Sequence, residues 1–204
     1  MIILSHRGYW KEVAEKNTAI AFDRSFDLGF GTETDVRDCG GKLVISHDMP
    51  NGNEMLFDDF LDMLKGRPLP LAINIKSDGL ADLVKESIEK HRIANWFVFD
   101  MSMPDTRHHI NIGNPVYARM SEVESENAWW DKVQGIWLDA FEGQWYKHDL
   151  ITKLRQKGKR VCIVSPDLHK RPYHEFWQTL VPLRKDDGIM LCTDHPEKAK
   201  TLLG

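Results

Sequence analysis

The chain has no excess of basic charge, no long apolar run and no cysteine framework. Its 204 residues carry 27 Lys and Arg against 31 Asp and Glu, a formal net charge of −4. Nucleic-acid binders use a surplus of Lys and Arg to neutralise phosphates, so no nucleic-acid partner is expected. The opening stretch MIILSHRGYW is too short in apolar residues for a signal peptide. No later stretch reaches the roughly 20 apolar residues of a membrane-spanning helix, so no stable membrane insertion is expected either. Cys39, Cys162 and Cys192 are odd in number and have no zinc-ligand spacing. The last two lie in apolar runs and read as small core residues, which fits a reducing, cytoplasmic location. Low-complexity stretches and Pro/Ser-rich linkers are also missing. Residues 1–204 therefore read as one domain, long enough for one substantial core.

What is present is an alternation of short apolar segments with helical ones. Strands are predicted over Ile2–Arg7, Gly31–Arg37, Leu69–Ser77, Trp96–Asp100, Pro115–Met120, Gly135–Ala140, Arg160–Ser165 and Gly188–Thr193. A further strand, Lys42–Ser46, follows Gly40-Gly41 and reads as a hairpin partner of the second. Helices are predicted from Asn17 or Thr18 to Gly29, over Leu80–His91, Trp145–Lys157 and Pro196–Leu203, with poorer ones at Pro104–Ile110 and Glu122–Asp131. Strands alternating with helices build a parallel sheet, and eight of them predict an α/β fold, a closed (β/α)₈ TIM barrel with short loops.

Chemistry concentrates in the first quarter, as His6-Arg7-Gly8, Glu33-Thr34-Asp35 and His47-Asp48. Side chains alternate along a strand, so Glu33, Asp35 and Arg37 share one face. Two inward carboxylates at a barrel mouth need a cation, a proton or a base beside them, and their hard oxygens suit Mg²⁺ or Ca²⁺. His6 and His47 fall at strand ends, where barrel active sites gather. Other strand ends offer Lys76, Asp100, Arg119, Asp139 and Asp167. Arg119 is the best contact for an anionic group among them, and Asp139 is a candidate for a cation or a sugar hydroxyl. Trp137, Phe141 and Trp145 are candidates for an aromatic wall, with core packing as the plainer reading. His108-His109 and His148 read as surface residues on helices.

The ordered set HRG, ExD and HD, with Asn17, Thr18, Ala21 and Phe22 opening a helix, resembles the glycerophosphodiester phosphodiesterase family of phospholipase-C-like phosphodiesterases. Asp187-Gly188-Ile189 and Thr193-Asp194-His195-Pro196 resemble its closing strand. The resemblance implies a (β/α)₈ barrel and a metal-dependent phosphodiesterase acting on a small-molecule phosphodiester. It implies His6 and His47 as the acid–base pair, Glu33 and Asp35 as metal ligands, and Arg7 as a phosphate contact.

The chain also departs from that pattern. Asn74, in Leu71-Ala72-Ile73-Asn74-Ile75-Lys76, stands where the family has a third acidic ligand. Its amide oxygen can ligate but brings no charge. Lys76 shares its face and points at phosphate. Lys16 stands where the family has a Glu, and only Met49 to Arg67 separate His47-Asp48 from the third parallel strand, in place of a longer insertion. Three readings stay open: hydrolysis of an alcohol- or sugar-containing phosphodiester, lipid cleavage with a cyclic phosphate product, and a degenerate barrel that only binds a phosphorylated ligand.

Overall fold

A computed structural model describes residues 1–64, 66–125 and 128–204. Among the described residues nine strands are formed: β1 Ile2–His6, β2 Gly31–Cys39, β3 Lys42–Ile45, β4 Leu71–Ile75, β5 Trp96–Phe99, β6 Tyr117–Met120, β7 Gly135–Leu138, β8 Arg160–Val164 and β9 Ile189–Thr193. All but β3 pair in parallel, in the order β5-β4-β2-β1-β9-β8-β7-β6. A parallel bridge between Val98 and Val116 brings β5 to β6 and nearly closes the ring. The predicted eight-stranded parallel barrel is therefore the fold. β3 lies antiparallel on β2, with Val36 opposite Ile45.

Among the same residues seven α-helices alternate with these strands: α1 Ala19–Asp27, α2 Phe57–Met63, α3 Ala81–Lys90, α4 Met103–Asn111, α5 His148–Gln156, α6 His174–Leu180 and α7 Pro196–Leu203. α2 and α6 fall outside the predicted set. Each is two turns long, too short for apolar periodicity to stand out, and each is held by its buried face: Phe57, Phe60 and Leu61 in α2, Trp177 and Leu180 in α6. The helix expected at Glu122–Asp131 is not formed by its described residues, which run through turns. Glu126 and Asn127 lie outside the described residues. His109 departs from its expected surface position. It is fully buried, with Nδ1 3.0 Å from Asn114 Nδ2, and burial lowers its pKa.

Alternation along the strands divides the core in two. Outward residues such as Ile73, Val98, Ile163 and Leu191 pack under the helices with Phe22, Phe60 and Trp177. Inward residues fill the barrel: Leu4, Ala72, Phe97, Phe99, Tyr117, Trp137, Cys162 and Cys192 among them. Phe97 stacks on Tyr117 at 3.7 Å and Phe99 on Trp137 at 3.8 Å. Large flat rings thus fill a barrel built from strands of only four or five residues on that side. Cys162 and Cys192 are buried free thiols whose pKa is pushed up by burial.

The turn after β1 sets the entrance to the site. Arg7 (φ 58°) and Gly8 (φ +80°) are both left-handed, and Gly8 N donates to Thr32 Oγ1 at 3.1 Å. A Cβ at Gly8 would lie 2.7 Å from Ala21 Cβ in α1. Gly8→Ala is therefore expected to destabilise the fold by about 1–3 kcal/mol, from positive φ and overpacking together. Urea denaturation checks this, and an unchanged midpoint would show that α1 yields freely.

Candidate active site

Strand register assembles the site. β1 places His6 opposite Glu33, and β4 places Asn74 opposite Asp35. Glu33 is 2% exposed, Asp35 0% and Asn74 7%. Four predicted site residues from three adjacent strands therefore form one patch at the C-terminal mouth.

His6 is held from behind. Its Nδ1 lies 2.7 Å from Asp194 Oδ1, and because a carboxylate only accepts, Nδ1 carries the proton. Nε2 is left facing Glu33 Oε2 at 3.9 Å. Asp194 is fixed in turn, since its backbone N–H donates to Asp167 Oδ2 at 2.8 Å, which also accepts from Thr193 Oγ1 at 2.9 Å. Burial pushes the Asp194 carboxyl up. The His6 hydrogen bond and charge outweigh it and hold the group below its ordinary range.

Asp35 gathers cations. Arg7 Nε lies 2.8 Å from Oδ2 and Lys76 Nζ 3.3 Å from Oδ1, and Asn17 Nδ2 donates to Oδ2 at 2.9 Å. Asn17 is positioned by its left-handed backbone (φ 59°), by its N–H donating to Arg7 O at 2.9 Å, and by Thr34 Oγ1 donating to its side-chain oxygen at 3.0 Å. Thr18 begins α1 as expected, but its hydroxyl donates back to Glu15 O at 2.6 Å and caps no helix amide.

Glu33 has no such counter-charge in contact. Asn74 Nδ2 donates weakly to its Oε1 at 3.4 Å. Burial, then the neighbouring Asp35 charge, pushes its pKa up to about 7, against the smaller pull of His6, Arg7 and Lys76. Glu33 Oε2, Asp35 Oδ1 and Asn74 Oδ1 are all buried and accept no hydrogen bond. Three hard oxygens in one acidic patch fit a divalent Mg²⁺ or Ca²⁺. Among the described residues no cluster of three or more His, Cys, Asp or Glu side chains is arranged for a metal, so the Asn74 amide is needed to make a set of three.

His47 sits on the chain beyond β3. Its Nδ1 is 2.8 Å from Asp48 Oδ1, its carbonyl accepts from Arg37 Nη1 at 3.2 Å, and its side chain is 46% exposed. The hydrogen bond with His47, then its charge, holds the Asp48 carboxyl below the usual range. His47 lines a cavity of about 520 Å³ with Arg7, Lys16, Asn17 and Thr18. Arg7 thus touches Asp35 on one side and the His47 cavity on the other. A groove of about 590 Å³ between Met120, Trp130 and α5 is lined by none of the predicted site residues.

The remaining candidates sit across the mouth. Arg119 is already paired, through Nε and Nη2 with Glu124 at 2.5 and 3.1 Å, and through Nη1 with Asp100 at 3.2 Å. Trp137 is 4% exposed and stacked on Phe99 inside the barrel, so it offers no face to a ligand. Asp139, just beyond β7, is 6% exposed and bound to His169. Sequence reasoning did not single out Asp194 as the partner of His6, the Asn17 side chain as a contact of Asp35, or His169. Only the resemblance of Thr193-Asp194 to a closing motif carried a signal.

The buried Glu33 has a pH signature in metal-free protein. Unfolded, the carboxyl ionises near 4.5, and folded near 7. Between these values the unfolded chain loses a proton that the folded chain keeps. Glu33 therefore costs the fold stability as pH rises through this window, and costs nothing below it. With chelator present, Glu33→Gln should match wild type in thermal midpoint at about pH 4 and exceed it at about pH 8. Equal midpoints at both would show that Glu33 is solvated.

No family model matches the sequence, and no curated protein matches it by sequence. Among solved structures the chain is similar to a glycerophosphodiester phosphodiesterase from Agrobacterium tumefaciens, at 17% identity and TM-score 0.74, over 99% of this chain and 98% of that one. It is similar to a phosphodiesterase from Oleispira antarctica in complex with the product sn-glycerol-3-phosphate, at 13% and 0.75, over 99% and 96%. A Ca²⁺-dependent phosphatidylinositol-specific phospholipase C from Streptomyces antibioticus matches at 11% and 0.61, over 100% and 95%. A phosphoribosyl anthranilate isomerase from Thermus thermophilus matches at 14% and 0.54, over 100% and 96%, so barrel shape alone does not select a chemistry. At these identities the common property is the fold: this chain is a (β/α)₈ barrel of the shape those three phosphodiester-cleaving enzymes share.

Proposed function

We propose that the chain is a metal-dependent phosphodiesterase that cleaves a small alcohol- or sugar-containing phosphodiester by acid–base catalysis. The observation that carries this reading is the alignment Asp194–His6–Glu33. A histidine with one nitrogen tied to a half-buried carboxylate turns the other toward an acidic patch with three oxygens that accept no hydrogen bond. Mere ligand binding does not require a histidine oriented in this way. The likeness in fold to two phosphodiesterases and a phospholipase C supports the same chemistry.

The residues divide the work as follows. His6, with its proton on Nδ1, presents a basic Nε2 that takes the proton of the attacking water or substrate hydroxyl. Asp194 stabilises the imidazolium that forms. His47, oriented by its hydrogen bond to Asp48, gives a proton to the alkoxide as the P–O bond breaks. Arg7 and Lys76, which rest on Asp35, are placed to share their charge with the non-bridging phosphate oxygens. Glu33, Asp35 and Asn74 would hold the divalent cation, which when bound supplies positive charge against the developing negative charge at phosphorus.

Hydrolysis of bis(p-nitrophenyl) phosphate and of glycerophosphodiesters, with Mg²⁺ or Ca²⁺, tests the reading. His6→Ala and His47→Ala should each lower the rate about 10²–10⁴-fold. Either ion should raise the thermal midpoint of wild type and not of Asp35→Asn. A wild type that hydrolyses none of these diesters with either ion, yet binds phosphorylated ligands, would replace the enzyme by a binding barrel.

One observation favours a lipid as the diester. Nine large apolar side chains are exposed among the described residues, and six stand on segments that follow strands at the mouth: Val13, Met49, Met103, Val123, Phe141 and Trp145. Such a rim suits docking on a lipid surface. No helix of the described residues is long and apolar enough to cross a membrane. Co-sedimentation with phosphatidylcholine and phosphatidylglycerol vesicles should be lost in a Met49→Asp, Val123→Asp double variant. Failure of wild type to sediment with either would remove the lipid reading.

A further inference from the structure

On the side of the mouth away from His6, a second histidine–carboxylate pair is built with more support than the barrel requires. Asp139 follows β7, and His169 ends a short 3₁₀ turn, Pro166–His169, that follows β8. His169 Nε2 lies 2.7 Å from Asp139 Oδ1, and Ala140 N donates to the same oxygen at 2.7 Å. Trp145 Nε1 donates to Asp139 O at 2.7 Å, and Arg171 donates to Ala140 O. Lys170, next in the chain, is held left-handed at φ 57°. These ties lock one loop to the next around a pair that is 8% and 24% exposed in its side chains.

The lock leaves a defined set of free atoms. Asp139 only accepts, so His169 donates through Nε2 and its Nδ1 is an acceptor. Among the described residues neither His169 Nδ1 nor Asp139 Oδ2 has a hydrogen-bond partner. Phe141 stands edge-on to the imidazole at 5.4 Å, and the Arg119 guanidinium lies 5.6 Å over the Phe141 ring. Two acceptors beside an apolar ring match a carbon skeleton bearing hydroxyl donors. A second phosphate would meet the Asp139 charge, and the Phe141 face open to a cation is already taken by Arg119.

Two observations tie this pair to the site around His6. Asp100, beyond β5, accepts from Arg119 Nη1 at 3.2 Å, and its carboxyl, raised by burial, feels the charges of Arg119, Lys76 and Asp139. The turn that ends in His169 also carries Asp167, the residue that fixes Asp194 behind His6.

We infer that His169, held by Asp139, forms a hydroxyl-binding subsite at the mouth that recognises a polyol or sugar moiety esterified to the phosphate. This rests on the mouth being a phosphate-ester site, as proposed above. His169 selects the substrate alcohol and stands apart from the acid–base pair.

Equilibrium binding separates the two ideas because it needs no turnover. Calorimetry with sn-glycerol-3-phosphate, methyl phosphate and phosphocholine compares a hydroxylated alcohol, a bare one and a cationic one on the same phosphate. Wild type should prefer sn-glycerol-3-phosphate over methyl phosphate by roughly tenfold, the worth of one or two hydrogen bonds. His169→Ala should bring that ratio to about two or below. Asp139→Asn keeps an acceptor for His169 and Ala140 and replaces the free oxygen with a donor, so it should lower the ratio even if the alanine variant folds poorly. No preference in wild type, a preference for phosphocholine, or a ratio untouched in both variants would overturn the subsite. A preference lost with His169 in a protein that hydrolyses no diester would uphold the subsite and remove the hydrolase. Hydrolysis of every diester without the preference would do the reverse.

Discussion

Two carboxylates buried one residue apart on a single strand are the constraint around which this molecule is arranged. Moving one anion out of water is costly, and moving two into one patch adds their repulsion. The structure offsets the two unequally. Asp35 receives Arg7, Lys76 and Asn17, while Glu33 is left facing His6 with a raised pKa. Asn74 belongs to the same electrostatic problem. A third carboxylate opposite Asp35 would raise the repulsion further, whereas the amide supplies a hard oxygen and a weak donor to Glu33 without charge. Two formal charges in such a patch would hold a cation less tightly than three.

The rest of the mouth follows from keeping those groups in place. Arg7 reaches Asp35 because the chain turns sharply at Arg7-Gly8, and that turn fits only because Gly8 lies against Ala21 with no side chain between. His6 keeps one tautomer because Asp194 stands behind it, and Asp194 stays because Asp167 binds its backbone. Residues far apart in sequence thus act through one another at the ends of β1, β2, β4, β8 and β9. The inner aromatic layer of Phe97, Phe99, Tyr117 and Trp137 makes the opposite half of the barrel solid, so polar chemistry is confined to the loops above it.

Much of this was legible from residue order. Eight strands were evident because parallel barrel strands are short, apolar on both faces and separated by helices. α7 was evident because Pro196 opens it, while α2 and α6 escaped because two turns give too few periods to recognise. Glu33 and Asp35 were placed together by alternation along one strand, with no tertiary knowledge. Trp137 shows where such reasoning stops. Alternation says that it points into the barrel, but only packing against Phe99 shows that the barrel is filled there and gives it no ligand to touch. His109 is similar: a polar residue on a helix reads as exposed until its ring is found buried with Nδ1 against Asn114.

The sequence by itself determined the barrel, the carboxylate pair and the residue types at each strand end, because these depend on local periodicity and on which side chains can carry charge. Tertiary structure alone decided the partnerships: Asp194 with His6, Lys76 and Asn17 with Asp35, Glu124 with Arg119, His169 with Asp139. The reason is physical. A hydrogen bond or ion pair exists only within about 3 Å, a distance fixed by strand register and loop closure. Residues 188 apart, such as His6 and Asp194, meet only when the last strand pairs with the first.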